Sequence, residues 1–351
     1  MDLYTNKLYL NDLTYTVGLD LPWEKLKRKR VLLSGATGLV GSYLVDVLMT
    51  KNMEGLDCTV YALGRNSERA MQRFSKWNKD PNLQFISYDI NKPFMRDDIG
   101  TVDYVLHMAS NTHPMQYSTD PIGTITTNII GVQNMLEFAV KHHAIRFVFI
   151  SSNEIYGENR GDVELFDENY CGYINSNTMR AGYPESKRCG EALCQAYKVQ
   201  KELDIVIPRL TRSYGPTMLR SDTKAISQFI NKAIDGEDIV LKSTGTQYYS
   251  YTYMADAVSG LLYVFLYGEN GEAYNIADEA SDLMLKDLAS IIAGSVGKKV
   301  VFEIPDVVEA AGYSKATKAR LDGSKLKKLG WKPRYDIKRG IERTMNIMNT
   351  H

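Results

Sequence analysis

A glycine-rich turn directly after the first apolar run limits the possible folds of this chain more than any other feature. The apolar run covers residues 31–34, and the pattern from 39 to about 51 is that of a helix. The turn between them and the start of that helix contain Gly35, Thr37, Gly38, Leu39, Val40 and Gly41. Glycines here permit a tight turn, close approach of a phosphate and close packing of the helix on its strand. A plain strand–helix turn is the alternative, but strand, helix and spacing together predict a dinucleotide site at the helix N-terminus.

Strand patterns and helix patterns then alternate along the chain. We predict strands at 58–63, 84–87, 104–108, 146–151 and 205–209, with long helices at 123–143 and 185–202. Such alternation predicts a parallel, doubly wound sheet with helices on both faces. After Pro208 the elements become shorter, with helices at 224–235, 255–267, 285–296 and 337–349 and strands at 239–241 and 273–276.

These elements predict an α/β fold, namely a Rossmann-type doubly wound parallel sheet with a smaller C-terminal α/β substrate domain. The predicted parts are 1–28, an N-terminal lead-in of uncertain structure; 29–207, the dinucleotide-binding Rossmann domain; and 208–351, the mainly substrate-binding domain. Because neither an internal repeat nor a low-complexity linker separates the two domains, we expect them to pack tightly.

The composition is that of an ordinary globular protein and argues against several classes of partner. Lys and Arg together number 42, as do Asp and Glu, so we expect no binding to nucleic acid or to an anionic membrane. The N-terminus lacks the apolar segment of a signal peptide, and no run of about 18 apolar residues predicts a membrane span. The four cysteines show no CxxC pairing, so we expect reduced, buried or half-buried thiols, no metal site and a cytoplasmic location.

The residue after the second predicted strand bears on the choice of dinucleotide. Folds of this type that bind NAD commonly place an acidic residue there, which bonds the ribose 2′-hydroxyl. This chain has Arg65, which favours the 2′-phosphate of NADP or is a solvated loop arginine, so NAD or NADP stays open. The residues expected near the adenine and the rest of the cofactor are Asp89, Ile90, Met108, Ala109 and Ser110.

Tyr183 and Lys187 are four residues apart, so a helix would present both on one face. A free phenol titrates near pH 10, and acting as a base near neutrality requires its pKa to fall by about three units, about 4 kcal/mol. The Lys187 ammonium and the positive nicotinamide would both lower it, so we expect a lowered pKa for Tyr183. Ser152, which ends a predicted strand, is expected to hydrogen-bond the reacting oxygen.

With these motifs the chain resembles the extended short-chain dehydrogenase/reductase family of nucleotide-sugar enzymes, the NAD-dependent epimerases and dehydratases. The resemblance extends from about Arg30 to about Thr344 and includes a C-terminal signature at 322–325 and 329–333. Within the family the pattern is most similar to the UDP-glucuronate decarboxylases (UDP-xylose synthases). The stretches that carry this likeness are 109–117, 120–122 with 127–128, and 179–183 with 187–188.

The resemblance implies roles for further residues. It adds Asn128, Ser151, Tyr183 and Lys187 to the cofactor-binding set, and Asn111, Tyr117, Asn153 and Arg180 to the substrate-binding set. The stretch 151–157 is similar to the decarboxylase and dehydratase signature, which implies a catalytic role for Glu154; a surface carboxylate is the alternative. Asn153 stands where dTDP-glucose 4,6-dehydratases have an aspartic acid, and an amide cannot protonate a leaving hydroxyl.

Three positions depart from the family pattern, and all three concern anions of the substrate. Arg212 replaces an asparagine, Thr217 replaces an arginine, and Tyr249 replaces a second arginine that commonly grips the diphosphate or an acidic sugar group. With Arg220 and Lys224 nearby in sequence, Arg212 suggests that the substrate anion is held from a different side. Tyr249 is equally consistent with stacking on the substrate or with strand packing.

The leading prediction is therefore a redox-neutral nucleotide-sugar enzyme that oxidises C4 transiently, with the dinucleotide bound tightly and recycled. Decarboxylation or elimination would follow from the 4-keto sugar, with Glu154 assisting. The alternatives are a nucleotide-sugar 4-epimerase and, in a different class, a non-catalytic dinucleotide-binding module that senses redox state. The resemblance also implies a homodimer formed through the two long helices at 123–143 and 185–202.

Overall fold

The computed structural model describes residues 2–112, 114–303 and 317–349. The strands are β1 Arg30–Ser34, β2 Thr59–Gly64, β3 Leu83–Ser87, β4 Tyr104–His107, β5 Arg146–Phe149, β6 Ser151–Ser152, β7 Ile205–Leu210, β8 Arg212–Tyr214, β9 Ile239–Leu241, β10 Tyr248–Tyr253, β11 Ala273–Ile276, β12 Asp282–Met284, β13 Val300–Phe302 and β14 Lys318–Ala319. The helices are α1 Lys7–Val17, α2 Leu39–Asn52, α3 Ser67–Arg73, α4 Pro114–Thr119, α5 Pro121–Lys141, α6 Gly182–Lys201, α7 Ala225–Ile234, α8 Met254–Tyr267, α9 Leu285–Gly294, α10 Ser324–Lys328 and α11 Ile337–Met348.

The large sheet is parallel and has the order β3-β2-β1-β4-β5-β7-β11, with β6 also pairing β7. The order 3-2-1-4-5 is that of a Rossmann sheet, which confirms the predicted fold class. The strand β11 comes from the part of the chain after Pro208 and extends this sheet beyond β7.

Alternate residues of the central strands are buried on opposite faces of the large sheet. Val31 and Leu33 of β1 belong to one apolar cluster, whereas Leu32 belongs to the other. Both faces are therefore covered, which explains why these strands are continuous apolar runs in the sequence. The same burial holds the carboxyl ends of β1, β4 and β6 at one edge of the sheet, where ligands of open α/β folds bind.

The helix α5 begins where the sequence Asp120-Pro121 predicts a helix start. The Asp120 carboxylate accepts a hydrogen bond from the N–H of Gly123, and Pro121 occupies the first helical position. This helix packs against α6, which carries the Tyr183–Lys187 motif at its N-terminal end.

The C-terminal part contains two smaller sheets. In the first, β10 pairs with β12, β14 and β8, and in the second β9 pairs with β13. The sequence predicted β9 and β11 with the observed bounds but gave no strand at β8, which pairs Arg212 with Tyr251 of β10. This pairing extends the chain from β7 directly into the C-terminal part.

The N-terminal lead-in is an ordered segment whose helix α1 packs against α2 and α8. Its Tyr4 and Tyr9 hydroxyls donate hydrogen bonds of 2.7 and 2.5 Å to the buried carboxylate of Asp46 on α2. Arg73 and Trp77 donate to the same carboxylate at 2.6 and 2.8 Å. The segment is thus anchored to the Rossmann sheet through one buried acid.

A second buried acid anchors the same segment to the C-terminal part. The carboxylate of Asp12, on α1, accepts hydrogen bonds of 2.7 Å from the hydroxyls of Tyr253 and Tyr335. It also lies 2.7 Å from Nη2 of Arg343 on α11. Residues of the lead-in therefore contact both halves of the chain.

In the described ranges no helix is both long and apolar enough to span a membrane. Cys58 and Cys194 are buried and Cys189 is half-buried, but Cys171 is exposed, so the expectation of buried or half-buried thiols is wrong for Cys171. The described residues also contain no group of three or more His, Cys, Asp or Glu side chains arranged to hold a metal ion.

Candidate active site

The glycine turn has the close packing that its sequence predicts. Gly35 has a φ of +71°, and a Cβ on it would lie 2.7 Å from the backbone nitrogen of Ala109. A Cβ on Gly41 would lie 2.4 Å from the carbonyl oxygen of Gly35. The helix α2 begins after Gly38, which provides no side-chain cap for its first N–H groups. Uncapped N–H groups on a side-chain-free turn fit the pyrophosphate of a dinucleotide.

The loop after β4 is held against this turn by Ser34, the last residue of β1. Its hydroxyl accepts hydrogen bonds from the N–H groups of Met108 and Ala109 at 3.2 and 3.3 Å and lies 2.8 Å from Nδ1 of His107. Burial, with the nearby Lys187 charge, lowers the pKa of His107 to about 3, so its ring is neutral. The predicted cofactor residues Met108 and Ala109 therefore lie beside the glycine turn.

The two arginines after β2 differ in their surroundings. Arg65 is exposed, whereas Arg69 is half-buried and donates a 2.7 Å hydrogen bond from Nη2 to the carbonyl oxygen of Thr37. Burial lowers the pKa of Arg69. The sequence analysis assigned the cofactor contact to Arg65 and missed that Arg69 contacts the glycine turn. The available signal was that Arg69 follows Arg65 by four residues.

Asp89 and Ile90, which were expected near the adenine, follow β3 at the same edge of the sheet. The Asp89 carboxylate accepts a 3.0 Å hydrogen bond from the N–H of Asn91. Ile90 is buried, and a Cβ on Gly131 of α5 would lie 2.7 Å from its Cδ1. Ile90 thus packs closely on α5, while Asp89 is half-buried.

Tyr183 and Lys187 are both buried on the face of α6 that meets the sheet. The Lys187 ammonium donates a 2.8 Å hydrogen bond to the carbonyl oxygen of Ile150 and lies 4.9 Å from the centroid of the Phe149 ring. Burial lowers the pKa of Lys187 to about 8. Lys187 is therefore fixed on the end of β5, next to Ser151 and Ser152.

The expectation of a lowered pKa for Tyr183 is wrong for the chain alone. Burial raises the pKa of the Tyr183 phenol above its ordinary value, and the nearby Glu154 carboxylate adds to the rise. Hydrogen bonding with Ser152, the charge of Arg180 and hydrogen bonding with Ser110 all act to lower this pKa. The reason for the error is desolvation, which a spacing of four residues cannot reveal.

A chain of hydrogen bonds fixes the start of α6. Ser110 Oγ donates to Asn128 Oδ1 at 2.8 Å, Asn128 Nδ2 donates to Ser186 Oγ at 3.0 Å, and Ser186 Oγ donates to the carbonyl of Tyr183 at 2.9 Å. Asn128, assigned to the cofactor, is fully buried and here connects α5 with α6. Ser186 was missed by sequence reasoning, although it lies inside the Tyr-x-x-x-Lys motif.

Ser152 and Asn153 lie at the end of β6, beside Tyr183. The Ser152 hydroxyl accepts a 3.2 Å hydrogen bond from the N–H of Glu154 and donates a hydrogen bond to Oδ1 of Asn153. Asn153, whose Oδ1 is 3.5 Å from Ser152 Oγ, is buried, as are Ser151 and the predicted substrate residue Asn111. Ser151, Asn153 and Asn111 are therefore buried, whereas Ser152 is half-buried.

Glu154 is a paired carboxylate and not a solvated one. Nη2 of Arg180 donates to its two oxygens at 2.9 and 2.8 Å. The Arg180 guanidinium lies 4.9 Å from the centroid of the Tyr117 ring, and that ring stacks on Tyr183 with a centroid distance of 4.9 Å. The fold thus brings together four residues that the sequence predicted for the site, namely Glu154, Arg180, Tyr117 and Tyr183.

The remaining predicted substrate residues fall into two groups. Arg212 stacks on Tyr249, with its guanidinium carbon 3.4 Å from the ring centroid. Lys224 pairs with the buried Asp222 at 3.1 Å and lies 3.4 Å from the hydroxyl of Thr112 in the loop after β4. Arg220, by contrast, is exposed and pairs with Asp235 after α7, so the described contacts do not connect it with Tyr183.

Two contacts at this edge were not anticipated. Thr217, which stands at a position where the family has an arginine, donates a 2.8 Å hydrogen bond to the carbonyl of Leu39 in the glycine turn. Asp222, missed by sequence reasoning, is buried, and its charge contributes to a raised pKa of Tyr117, which is mainly due to burial. The Thr217 bond brings the segment after β8 against the glycine turn.

Comparisons with known proteins agree with this geometry. The sequence profile of the NAD dependent epimerase/dehydratase family matches residues 31–277. UDP-glucuronic acid decarboxylase 1 of Xenopus tropicalis is 32% identical over 325 residues, covering 91% of this chain and 72% of the relative. UDP-glucuronic acid decarboxylase 3 of Arabidopsis thaliana is 31% identical over 317 residues, covering 89% of this chain and 86% of the relative.

Solved structures with the same fold come from enzymes of several reaction types. A dTDP-glucose 4,6-dehydratase from Streptomyces venezuelae, with NAD bound, has a TM-score of 0.79 at 25% identity, covering 92% of this chain and 97% of that one. A UDP-glucuronic acid 4-epimerase from Bacillus cereus, with UDP-glucuronic acid and NAD, has a TM-score of 0.78 at 22% identity, covering 91% and 98%. By its profile match, its relatives and its fold, the chain belongs to the NAD dependent epimerase/dehydratase family.

Proposed function

We propose that this protein modifies a nucleotide sugar by transient oxidation at C4 with a bound nicotinamide dinucleotide, and that the reaction is decarboxylation of UDP-glucuronate. The observation that carries the proposal is the convergence of Tyr183, Ser152 and Glu154 beside the glycine turn. The relatives named UDP-glucuronic acid decarboxylase support the substrate.

The residues would divide the chemistry as follows. The nicotinamide dinucleotide, when bound, would supply a reversible hydride acceptor for C4 and a positive charge near the phenol. Tyr183 would take the proton of the C4 hydroxyl and return it when C4 is reduced again, with the Ser152 hydroxyl bonded to the same oxygen. A 4-keto group makes the C5 carboxylate that of a β-keto acid, so carbon dioxide can leave. Lys187, fixed by Ile150, would keep its ammonium near the reacting phenol.

The ion pair of Glu154 and Arg180 supports a role in the same step. A lone carboxylate beside Tyr183 would oppose deprotonation of the phenol, and Arg180 offsets that charge at 2.8 Å. Glu154 would then assist the transfer of a proton from solvent to C5, where it replaces the leaving carboxylate. Asn153 at the neighbouring position argues against an elimination that depends on an aspartic acid.

A product assay with the dinucleotide-loaded protein tests the proposal. UDP-glucuronate is expected to release carbon dioxide and leave a UDP-pentose, and Tyr183→Phe is expected to abolish the release while keeping the bound dinucleotide. A product of unchanged mass would indicate a 4-epimerase instead. If wild-type protein leaves every nucleotide sugar unchanged and Tyr183→Phe retains the biological role, the non-catalytic reading is favoured.

We propose further that the dinucleotide is NADP in preference to NAD. Arg65 is exposed after β2, and Arg69 lies on the glycine turn with its guanidinium half-buried. Two cations at this point would favour a 2′-phosphate. Mass spectrometry of the dinucleotide released on denaturation tests this, and release of NAD alone from cells that contain both would contradict it.

We also propose a homodimer formed through α5 and α6. These helices pack on each other and expose Ile122, Ile130 and Val199, whose exposed fractions are 75%, 42% and 80%. Apolar side chains of this size in solvent favour association. Light scattering coupled to gel filtration should give twice the chain mass, and Ile122→Glu should reduce it to that of one chain; a monomer in the wild type would contradict the proposal.

A further inference from the structure

Arg212 lies close to the predicted catalytic serine although the two are far apart in sequence. The register of β6 with β7 pairs Ser152 with Leu210, and Arg212 follows Leu210 by two residues. Its own strand, β8, then pairs with β10, so that Arg212 is opposite Tyr251. The carboxyl end of β6 and the start of β8 therefore meet at the edge of the sheet that carries Tyr183.

Among the described residues, the guanidinium of Arg212 stacks on an aromatic ring but pairs with no carboxylate. It stacks on the buried Tyr249 at 3.4 Å from the ring centroid. Its Nη1 is buried and has no hydrogen-bond partner, and among the described residues it forms no ion pair. Its charge acts to lower the pKa of Tyr251, although burial raises that pKa overall.

Two other arginines that stack on tyrosine rings each pair with a carboxylate as well. Arg180, over the Tyr117 ring, has the Glu154 carboxylate at 2.8 Å. Arg320, over the Tyr248 ring, has the Asp282 carboxylate at 2.7 Å. Leaving a buried guanidinium N–H unbonded is costly, and an incoming anionic oxygen removes that cost.

We infer that Arg212 binds the carboxylate on C5 of the sugar, an inference that rests on the proposed function. Ser152 is assigned to the oxygen on C4. The carboxylate is attached to C5, the adjacent ring carbon, and would lie within reach of Arg212 on β8. The diphosphate is attached at C1, on the other side of the ring from C4. A guanidinium held flat on a ring presents its N–H groups in the plane that suits a carboxylate. Arg212 would thus select acidic sugars over neutral ones.

The test compares UDP-glucuronate with UDP-glucose, which differ at C6 in having a carboxylate or a hydroxymethyl group. Titration calorimetry on the dinucleotide-loaded protein would give both dissociation constants for the wild type, Arg212→Gln and Arg212→Lys. A matched control is Arg334→Gln. Arg334 also stacks on a tyrosine, with its guanidinium carbon 4.4 Å from the centroid of the Tyr15 ring, but it is an exposed residue.

Arg212→Gln is expected to weaken UDP-glucuronate about 10- to 100-fold, as for loss of a charge-assisted hydrogen bond, and to change UDP-glucose less than about threefold. Arg212→Lys should give a smaller loss of affinity for UDP-glucuronate, because lysine keeps the positive charge but lacks the planar pair of N–H donors. Arg334→Gln should change the affinity for neither nucleotide. Equal losses for both nucleotides would assign Arg212 to the diphosphate and overturn the inference, as would no loss. If the wild type binds neither nucleotide, the proposed function fails first and the inference fails with it.

Discussion

Replacing Asp12 should destabilise the protein more than any other single change in the N-terminal segment. Asp12 is fully buried on α1 and accepts two tyrosine hydroxyl bonds while facing Arg343 at 2.7 Å. In Asp12→Ala, Arg343 would keep its bond to the carbonyl of Leu8 but lose its buried counter-charge. Removing one partner of a buried ion pair costs about 3–5 kcal/mol.

That loss would be a large part of a total stability of about 5–15 kcal/mol. Urea unfolding monitored by tyrosine and tryptophan fluorescence measures the change in the free energy of unfolding. Asn11→Ala is the matched control, because Asn11 is the preceding residue on the same helix and is exposed; we expect its change to stay within about 0.5 kcal/mol. A loss below about 1 kcal/mol for Asp12→Ala would refute the view that the segment is held by this buried acid.

Three further variants test other parts of the molecule. Gly41→Ala should purify without dinucleotide, because its Cβ would lie 2.4 Å from the Gly35 oxygen; full occupancy by absorbance would contradict this. Arg180→Gln should retain the fold and slow turnover about tenfold or more, since Glu154 loses its charge-assisted bonds; unchanged turnover would exclude a role for the pair. Burial raises the pKa of Asp256 from 3.8 to about 7. Protonation of Asp256 therefore stabilises the folded state in acid, and this stabilisation is lost as pH rises from about 4 to about 7. In Asp256→Asn that component of the pH dependence should be absent from urea unfolding curves, and an unchanged pH dependence would reject it.

The fold was predictable, and candidate redox residues could be proposed, because their signals are local. The glycine turn, the apolar strands and the Tyr183–Lys187 spacing each fall within a few residues, and the strand periods directly reflect burial on both faces of the sheet. The bounds of β9 and β11 followed for the same reason.

Features that depend on distant partners were not predictable. The lead-in gave no clear pattern because Tyr4 and Tyr9 bond to Asp46, and Asp12 bonds to Arg343, more than thirty and more than three hundred residues away. The pKa of Tyr183 was assigned the wrong direction for the chain alone because burial, which spacing does not report, exceeds the opposing contacts. Pairing of Glu154 with Arg180 likewise required the two loops to be placed in space.

Transient oxidation at C4 is tested most directly by the fate of the hydrogen on that carbon. Wild-type protein would be given UDP-glucuronate carrying deuterium at C4, and the product would be examined by NMR and mass spectrometry. We predict a UDP-pentose that has lost the carboxylate, has gained a solvent hydrogen at C5 and has kept the deuterium at C4, because the same bound dinucleotide takes and returns it. Loss of the carboxylate with the C4 label washed out, or a product that retains the carboxylate, would contradict the account.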